Sequence, residues 1–455
     1  MWWITVVIFV GFYVWGALRW GAGKSLAIVV PLTWIIPAWL MLPIADGAPD
    51  SIVGSGLDVK VTVGAACLIL YCFMPGRTFP IKLVPSDCAV LSLLIVHIAI
   101  DILHDGFDWM VLGRAYAEWY LPYITGRLAF QTLEDVDWIW RNLVGLGIAL
   151  GLLAIIESLT GTNPFELLVG QRPLEGFLHK TYRWGVTRAY GPTMHPIYLG
   201  VILLLTLGWA TYGSLLALHR RSSAFLVLAT LPILFGIAAT GSRGPILGSL
   251  IAAVAFTYFL VPRTRMPIGL ALVGLFILAA TFHEPIIQKL EQWSGERQWE
   301  IQIEGETRLN SSVRSRFNVL EVNRIALRRS GLIGFGTEAV SGFPINVPLG
   351  PIEAEAIKSV WAIDNTYILM MLRFGYLGAG LLLLSAALSV WQFYWIAQKY
   401  PESRVQWLSC SVGGGLLAAL LVQCTVWMPH EIGFPLVWTW GLSAGLMVAH
   451  REELL

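Results

Sequence analysis

Long apolar runs recur along most of this 455-residue sequence, and each is long enough to cross a lipid bilayer as a helix. Lipid offers no hydrogen bonds to backbone N–H and C=O groups, so an apolar run inside a bilayer has to be helical. Of the residues, 13% are charged and 56% are hydrophobic, whereas soluble domains are about one-quarter charged. The sequence therefore predicts an all-α polytopic membrane protein.

The runs predict about twelve or thirteen transmembrane helices, and the fifth run is the weakest. The eleventh run is long for one crossing, so we expect a break near Gly375 with the first turns at the membrane surface. The first run lacks a basic region and a small-residue cleavage site, so we expect no cleaved signal peptide. The predicted spans are 2–18, 26–43, 59–75, 87–104, 113–129, 139–158, 194–217, 223–240, 243–262, 267–282, 364–397, 405–428 and 432–449.

Basic residues mark alternate short loops, which by the positive-inside rule we assign to the cytoplasm. The opposite side then receives the 159–193 loop, the turn at 240–243 and the long segment 283–363. We therefore expect N-terminal membrane helices in 1–282, a partly helical periplasmic segment in 283–363 and C-terminal membrane helices in 364–455. The cytoplasmic markers are Arg19, Lys24, Arg77, Lys82, Arg141, Arg220, Arg221, Arg263, Arg265, Lys399, Arg404 and Arg451.

The long segment contains an amphipathic stretch, "RSRFNVLEVNRIALRRSGLIGFG". Its apolar residues recur near helical spacing, and Gly334 or Gly336 is placed to end the helix. One interpretation is a surface helix that lies on the bundle. The other is that Arg314 and Arg316, at its start, reach inward to a site.

Several arginines fall on the predicted outer side, against the positive-inside bias. One guanidinium group can bind two phosphate oxygens at once, and it stays protonated. A lipid-linked pyrophosphate is the anion expected at that depth. The Gly241–Pro245 turn also offers N–H groups at a helix start, with Pro245 expected at the first helical position. Arg243 is thus either an anion clamp or an arginine that binds lipid headgroups.

Two further residues are candidates for proton transfer. His195 precedes a span, where a histidine serves as a general base or as a capping residue. Asp364 precedes Asn365 and Thr366 at another span, where an aspartate is either a base or a helix N-cap. We expect His430 and Glu431 to be turn residues.

Four stretches resemble the successive signatures of the O-antigen ligase and O-antigen polymerase superfamily. Their order and spacing agree with the family, and the resemblance covers about residues 110–400. The stretches are "TRAYGPTMHPIYLG", "ATGSRGPILGSL", "RSRFNVLEVNRIALRRSGLIGFGTEAV" and "DNTYILMMLRFGYLG", with weaker ones in "EWYLPYITGRLAF" and "ESLTGTNPFE".

The resemblance implies an inverting, metal-independent glycosyltransferase of the GT-C type in the bacterial inner membrane. It would take a glycan from an undecaprenyl-pyrophosphate donor and pass it to a glycan or lipid acceptor on the periplasmic side. Neither a cofactor nor a nucleic acid is implied. Arg188 matches the arginine of the family's R-x-x-G motif, Arg243 matches that of the S-R-G motif, and both would bind the pyrophosphate. Arg316 matches an arginine early in the large-loop helix.

One position departs from the family pattern. The ligases carry a histidine, the proposed base, eleven positions before a glycine. Here Gly375 is retained, but Asp364 stands where the histidine is expected. Either Asp364 is the base, or His195 or another group replaces it, or the reaction depends mainly on activation of the leaving group.

Three alternatives stay open from the sequence. A polymerase of the same superfamily would carry the same arginines. A transporter or flippase of lipid-linked glycans would also carry them, with charged residues along a central path. A non-catalytic scaffold would not need arginines on separate outer loops.

Overall fold

A computed structural model describes residues 1–43, 56–74, 82–170, 182–219, 228, 230–294, 299–303, 306–311, 313–341 and 363–451. Three of the predicted cytoplasmic markers, Arg77, Arg220 and Arg221, lie outside the described residues. So does the 342–362 part of the long segment.

The described residues form helices and three short hairpins. The helices of the first half are α1 (Trp2–Trp20), α2 (Ala22–Leu32), α3 (Val59–Tyr71), α4 (Pro85–Asp105), α5 (Trp109–Ala115), α6 (Leu121–Ala129), α7 (Leu133–Thr160), α8 (Pro164–Val169), α9 (Pro196–His219), α10 (Thr230–Ala239) and α11 (Arg243–Leu260). Those of the second half are α12 (Arg265–Thr281), α13 (His283–Ser294), α14 (Arg314–Val322), α15 (Arg324–Ser330), α16 (Thr337–Ser341), α17 (Thr366–Lys399), α18 (Arg404–Val422) and α19 (His430–Arg451). The antiparallel hairpins pair β1 (Met41–Pro43) with β2 (Gly56–Asp58), β3 (Tyr182–Arg183) with β4 (Val186–Thr187), and β5 (Trp299–Ile303) with β6 (Glu306–Asn310).

Nine helices of the described chain are long and apolar enough to cross a membrane, which confirms the predicted all-α polytopic fold. Three further apolar helices, at 22–35, 59–71 and 230–239, are shorter. The weak fifth span is divided, because a π-helical turn at Tyr116–Tyr120 separates α5 from α6. The expected span 26–43 is wrong in its second half. The helical turns end at Ile35, since Pro37 and Pro43 lack the N–H that a helix needs.

The last helix forms the centre of the bundle. Every residue in the apolar window of α19 is buried, and glycines let α6 cross it closely. Gly126 lies against the Trp438 carbonyl, and Gly441 lies against the Tyr123 carbonyl. Small residues allow such backbone approaches between membrane helices. This close crossing fixes the N-terminus of α19, where His430 and Glu431 begin the helix.

The expected break near Gly375 is confirmed. Phe374 and Gly375 leave helical geometry inside α17, and Gly375 has a φ of 62°, which favours glycine. The break separates a half-helix, 366–373, from the long remainder of α17. A segment of the outer region, 331–336, fills the break: the N–H groups of Phe335 and Gly336 donate to the carbonyls of Leu372 and Arg373. On the other side, Tyr376 and Leu377 donate to Gly331 and Leu332.

The amphipathic stretch forms two short helices, not one long helix. The chain departs from helical geometry at Asn323, between α14 and α15. The second helix ends at Ser330, because Gly331 has a φ of 56°, so the expected stop at Gly334 or Gly336 is wrong. Residues from both helices pack on the half-helix in one apolar cluster, which includes Val319, Val322, Ala326, Leu327, Ile368, Leu369 and Leu372.

Candidate functional site

Arg188 is bonded to the turn that carries Arg243. Its Nε donates to the Thr240 carbonyl at 3.0 Å, and its Nη2 donates to Ser242 Oγ at 3.0 Å. The backbone supports the same contact, since the Ala189 N–H donates to the Ala239 carbonyl. Two arginine positions that are 55 residues apart in sequence are thereby held beside one turn, which we call the arginine turn (residues 240–243).

A third arginine, Arg183, reaches the same turn. Its Nη1 donates to the Gly241 carbonyl at 2.7 Å. Gly241 has a φ of 57°, and a Cβ there would lie 3.0 Å from Cγ of Arg188. The turn therefore requires glycine both for its backbone conformation and for the space that Arg188 occupies.

The arginine turn leads directly into a helix. Ser242 is the N-cap of α11, and Arg243 is its first helical residue, half-buried at the helix N-terminus. Pro245 is thus third in the helix, and its expected first position is wrong, although it still lies in the turn whose N–H groups have no intrahelical acceptor. A helix N-terminus with an arginine at its first position suits an anionic group.

Glu157 holds the loop that carries Arg188, and the sequence did not identify this role. The buried carboxylate accepts the N–H of Tyr190 at 3.2 Å and that of Gly191 at 2.9 Å. It also accepts from Asn163 Nδ2 at 3.0 Å. A carboxylate near the end of a predicted span was the available signal. The backbone N–H donors 33 and 34 residues away were not predictable from it.

Asp364 is not a helix cap. The N-cap of α17 is Asn365, whose Oδ1 accepts the N–H groups of Tyr367 at 3.0 Å and Ile368 at 3.1 Å. The carboxyl of Asp364 lies just outside the helix and near Arg316. Burial raises the pKa of the Asp364 carboxyl, and the positive charge of Arg316 opposes this shift. A carboxylate with a raised pKa is a better proton acceptor at neutral pH.

The two arginines at the start of α14 have different surroundings. Arg314 is paired with Glu291 at 3.2 Å and with Glu284 at 3.2 Å, so it stabilises the contact between α13 and α14. Arg316 is half-buried and interacts electrostatically with Asp364. Its Nε is buried and has no hydrogen-bond partner among the described residues. Of the two expected inward-reaching arginines, Arg316 is the one that lies near a candidate base.

His195 has a capping contact. Its Nδ1 accepts the Ile197 N–H at 3.2 Å at the start of α9, and its ring centroid lies 5.4 Å from that of Tyr198. Tyr198 is also within electrostatic range of Asp364 and Glu431. The ring of Trp427 packs edge-on against Tyr198, with 6.4 Å between centroids.

Glu431 is a second residue that the sequence did not identify. It is 6% exposed, and its Oε2 accepts the Met194 N–H at 2.9 Å. This bond joins the N-terminus of α19 to the residue that precedes His195. Glu431 begins a helix, where we had expected a turn residue.

The structure therefore brings the predicted residues together in two neighbouring groups. Arg188 binds the arginine turn, which contains Arg243. His195 and Asp364 lie near Tyr198, and Arg316 lies near Asp364. The 3-10 turn Gln423–Thr425 connects the groups. A Cβ on Gly244 would lie 3.2 Å from Oγ1 of Thr425, and Asn365 Nδ2 donates to the Cys424 carbonyl at 2.9 Å.

The similarity to known proteins is confined to a weak structural resemblance. Neither a family model nor a curated protein matches this sequence. One solved structure that resembles it is a chain of a peptidoglycan synthase complex that coordinates polymerization and crosslinking. That chain is 16% identical, with a TM-score of 0.37, and the alignment covers 81% of this chain and 99% of that one. At this TM-score the resemblance does not establish a shared function.

Proposed function

We propose that this protein is a membrane glycan transferase of the O-antigen ligase type. It takes a saccharide from an undecaprenyl-pyrophosphate donor and transfers it to an acceptor hydroxyl on the periplasmic side of the bacterial inner membrane. Residues 1–282 and 364–455 form its membrane part, and 283–363 contributes the outer part of its site. The proposal goes beyond the observed fold, which is that of a multi-pass helical membrane protein.

The observation that carries the proposal is the arrangement at the arginine turn. Arg188 is fixed on the turn by two hydrogen bonds, and Arg243 begins the adjacent helix. A diphosphate at that helix N-terminus would meet guanidinium groups and backbone N–H groups at once, and both are strong donors to phosphate oxygens. The carboxyl of Asp364 lies in the neighbouring group.

The chemistry assigned to these groups is a single displacement. The acceptor hydroxyl attacks the anomeric carbon of the donor sugar, and its proton passes to the Asp364 carboxylate. The bond from that carbon to the diphosphate oxygen breaks, and the electron pair leaves on undecaprenyl pyrophosphate. Arg188 and Arg243 stabilise the charge that develops on the leaving diphosphate, which is the step where fixed donors contribute most. Arg316, on α14, interacts electrostatically with this carboxyl, and it orients either Asp364 or the donor.

His195 has a supporting part in this proposal. Its Nδ1 is engaged by the backbone at the start of α9, so proton exchange with the site would use Nε2. The raised pKa of Asp364 favours Asp364 as the first proton acceptor.

The test is a transfer assay with purified protein and a defined undecaprenyl-pyrophosphate glycan. We expect Arg243→Ala and Arg188→Ala each to lower kcat by about 100- to 1,000-fold, the range seen when one donor to a developing oxyanion is removed. Arg308→Ala is the matched control, since Arg308 is an exposed arginine of the outer segment, paired with Glu321 at 3.0 Å. Wild-type rates in both Arg188→Ala and Arg243→Ala would contradict the proposal.

The same assay separates the alternatives. A ligase product carries the glycan on a lipid or core acceptor, whereas a polymerase product is a longer glycan on undecaprenyl pyrophosphate. Turnover of the donor in detergent, without any gradient, distinguishes an enzyme from a transporter.

A further inference from the structure

A second group of charged residues lies buried between α4, the π-helical turn and α17, and the proposed chemistry does not use it. His97 is 0% exposed, Asp101 is 1% exposed and Arg373 is 6% exposed. Ionisable residues inside a membrane bundle are costly to bury and are retained where they have a task. The contacts of this group indicate what the task is.

The hydrogen bonds fix the orientation of Asp101. Trp119 Nε1 donates to His97 Nδ1 at 2.8 Å, so the proton that His97 shares with Asp101 is on Nε2. His97 Nε2 lies 3.1 Å from Asp101 Oδ2. The other oxygen, Oδ1, accepts the Thr337 N–H at 2.8 Å. A membrane helix thus binds the backbone of the outer segment through a single oriented carboxylate.

Thr337 follows directly after the segment that fills the helix break. Phe335 and Gly336 donate to the carbonyls at the end of the half-helix, and Arg114 is paired with Glu338 at 2.8 Å. Residues 335–338 are therefore bound at four consecutive positions, to α17, α4 and α5. We call residues 331–338 the plug segment.

Arg373 lies where the half-helix ends, directly before the break. The carboxylates of Glu118, Asp101 and Glu338 lie within electrostatic range of it, as does the like charge of Arg114. Glu118 belongs to the π-helical turn, a feature that is frequent at functional sites. An arginine buried at this depth needs such counter-charges, so the end of the half-helix and the plug segment depend on the same carboxylates.

The plug segment is connected to both halves of the proposed site. It continues from α15, which follows α14 and Arg316, and those helices pack on the half-helix through Val319, Leu327 and Leu372. The half-helix begins two residues after Asp364. A shift of the plug segment would move Arg316 and Asp364 relative to each other.

We infer that Asp101 is a positioning residue for the transferase reaction: by binding Thr337 it holds the plug segment in the helix break and so sets Arg316 against Asp364. The inference rests on the proposed function for its effect on turnover. The contact between Asp101 and the plug segment can be tested without any activity.

The test combines hydrogen–deuterium exchange with kinetics on the full-length protein in nanodiscs. In Asp101→Ala we expect the amides of Phe335, Gly336 and Thr337 to exchange about tenfold faster or more, as the loss of a hydrogen bond to a charged group implies. We expect kcat to fall about tenfold while the donor KM stays within about twofold, because the arginine turn is not altered. Glu134→Ala is the control, since Glu134 is an exposed carboxylate on α7, paired with Lys24 at 3.3 Å.

A second variant, with a milder change, keeps the test valid if Asp101→Ala fails to fold. Glu338→Gln removes the half-exposed ion pair with Arg114 and keeps the hydrogen bonds that join His97, Asp101 and Thr337, so we expect the same amides to exchange faster by a smaller factor. Unchanged exchange at 335–337 in Asp101→Ala would overturn the inference, as would faster exchange with unchanged kcat. Faster exchange at 335–337 in Asp101→Ala, together with a wild-type protein that transfers no glycan, would instead contradict the proposed function and keep the anchoring role of Asp101.

Discussion

Arg314 and Arg316 are two residues apart on one short helix, yet they belong to different parts of the molecule. Arg314 is matched by the carboxylates of Glu284 and Glu291 on α13. Arg316 is directed to Asp364, and its Nε has no hydrogen-bond partner among the described residues. The comparison teaches that arginines on an outer loop are not equivalent: one stabilises the packing of two helices, and the other lies beside a candidate base.

The largest expected effect is at the carboxyl that Arg316 faces. In Asp364→Asn we expect kcat to fall about 100- to 10,000-fold, the usual contribution of a general base. The fold should be unaffected, since Asn365 provides the N-cap. Thermal unfolding and single-turnover transfer measure the two effects. Asp137→Asn, at a half-buried ion pair with Arg404, is the control. Normal transfer by Asp364→Asn would place the base elsewhere, with His195 the next candidate.

The second prediction concerns pH. The proposed reaction requires ionised Asp364, so we expect activity to be lost as the pH falls through the raised pKa of this group. Arg316 lowers that pKa, and its removal should raise it further. In Arg316→Ala the acidic limb of the kcat profile should therefore move to higher pH, measured at saturating donor. In Arg314→Ala the limb should stay where it is, and equal shifts in the two variants would abolish the distinction between them.

The smallest expected effect is the loss of stability when Arg314 is removed. Burial opposes ionisation of Glu291, but hydrogen bonds from Ser311 and Arg314 outweigh it and lower the pKa of Glu291. The stabilisation is present above the unfolded pKa of a glutamate and is lost as the pH falls through the lowered value. In Arg314→Ala we expect a loss of about 1 kcal/mol or less, because the ion pairs are partly exposed. Faster amide exchange in α13 and α14, with kcat unchanged, is the expected measurement.

An effect of Arg314→Ala on kcat as large as that of Arg316→Ala would contradict this view. Lys289→Ala, a change of a basic residue on α13 itself, is a suitable control for the exchange measurement.

Much of the fold was predictable from local pattern. Apolar length predicted the membrane helices, and the excess length of the run from 364 predicted the break at Gly375. The sequence contains prolines at 37 and 43, but the predicted bounds of the second span did not take them into account. The division of the amphipathic stretch at Asn323 had no comparable signal, because its apolar spacing fits one helix nearly as well as two.

The site was less predictable, because its contacts join distant parts of the chain. Arg188 and Arg243 were named from motifs, but the bonds that place Arg188 on the arginine turn come from the 182–190 loop packing on α10 and α11. The sequence predicts that Asp364 is either a general base or the N-cap of the helix, and the structure shows that Asn365 is the N-cap. Glu157 and Tyr198 lie within the quoted stretches, but their contacts and those of Glu431 were not predictable, since the partners are distant in sequence.

The filled break in α17 also has a consequence for how the protein is made. Residues 331–336 leave the ribosome before the half-helix does, so they are in place to accept it when it forms. Four backbone hydrogen bonds across the break come from this segment, and lipid could not replace them. We therefore expect that a shortened protein that retains every apolar run but lacks residues 331–336 would not form the broken helix α17. This segment is an internal part of the helical fold.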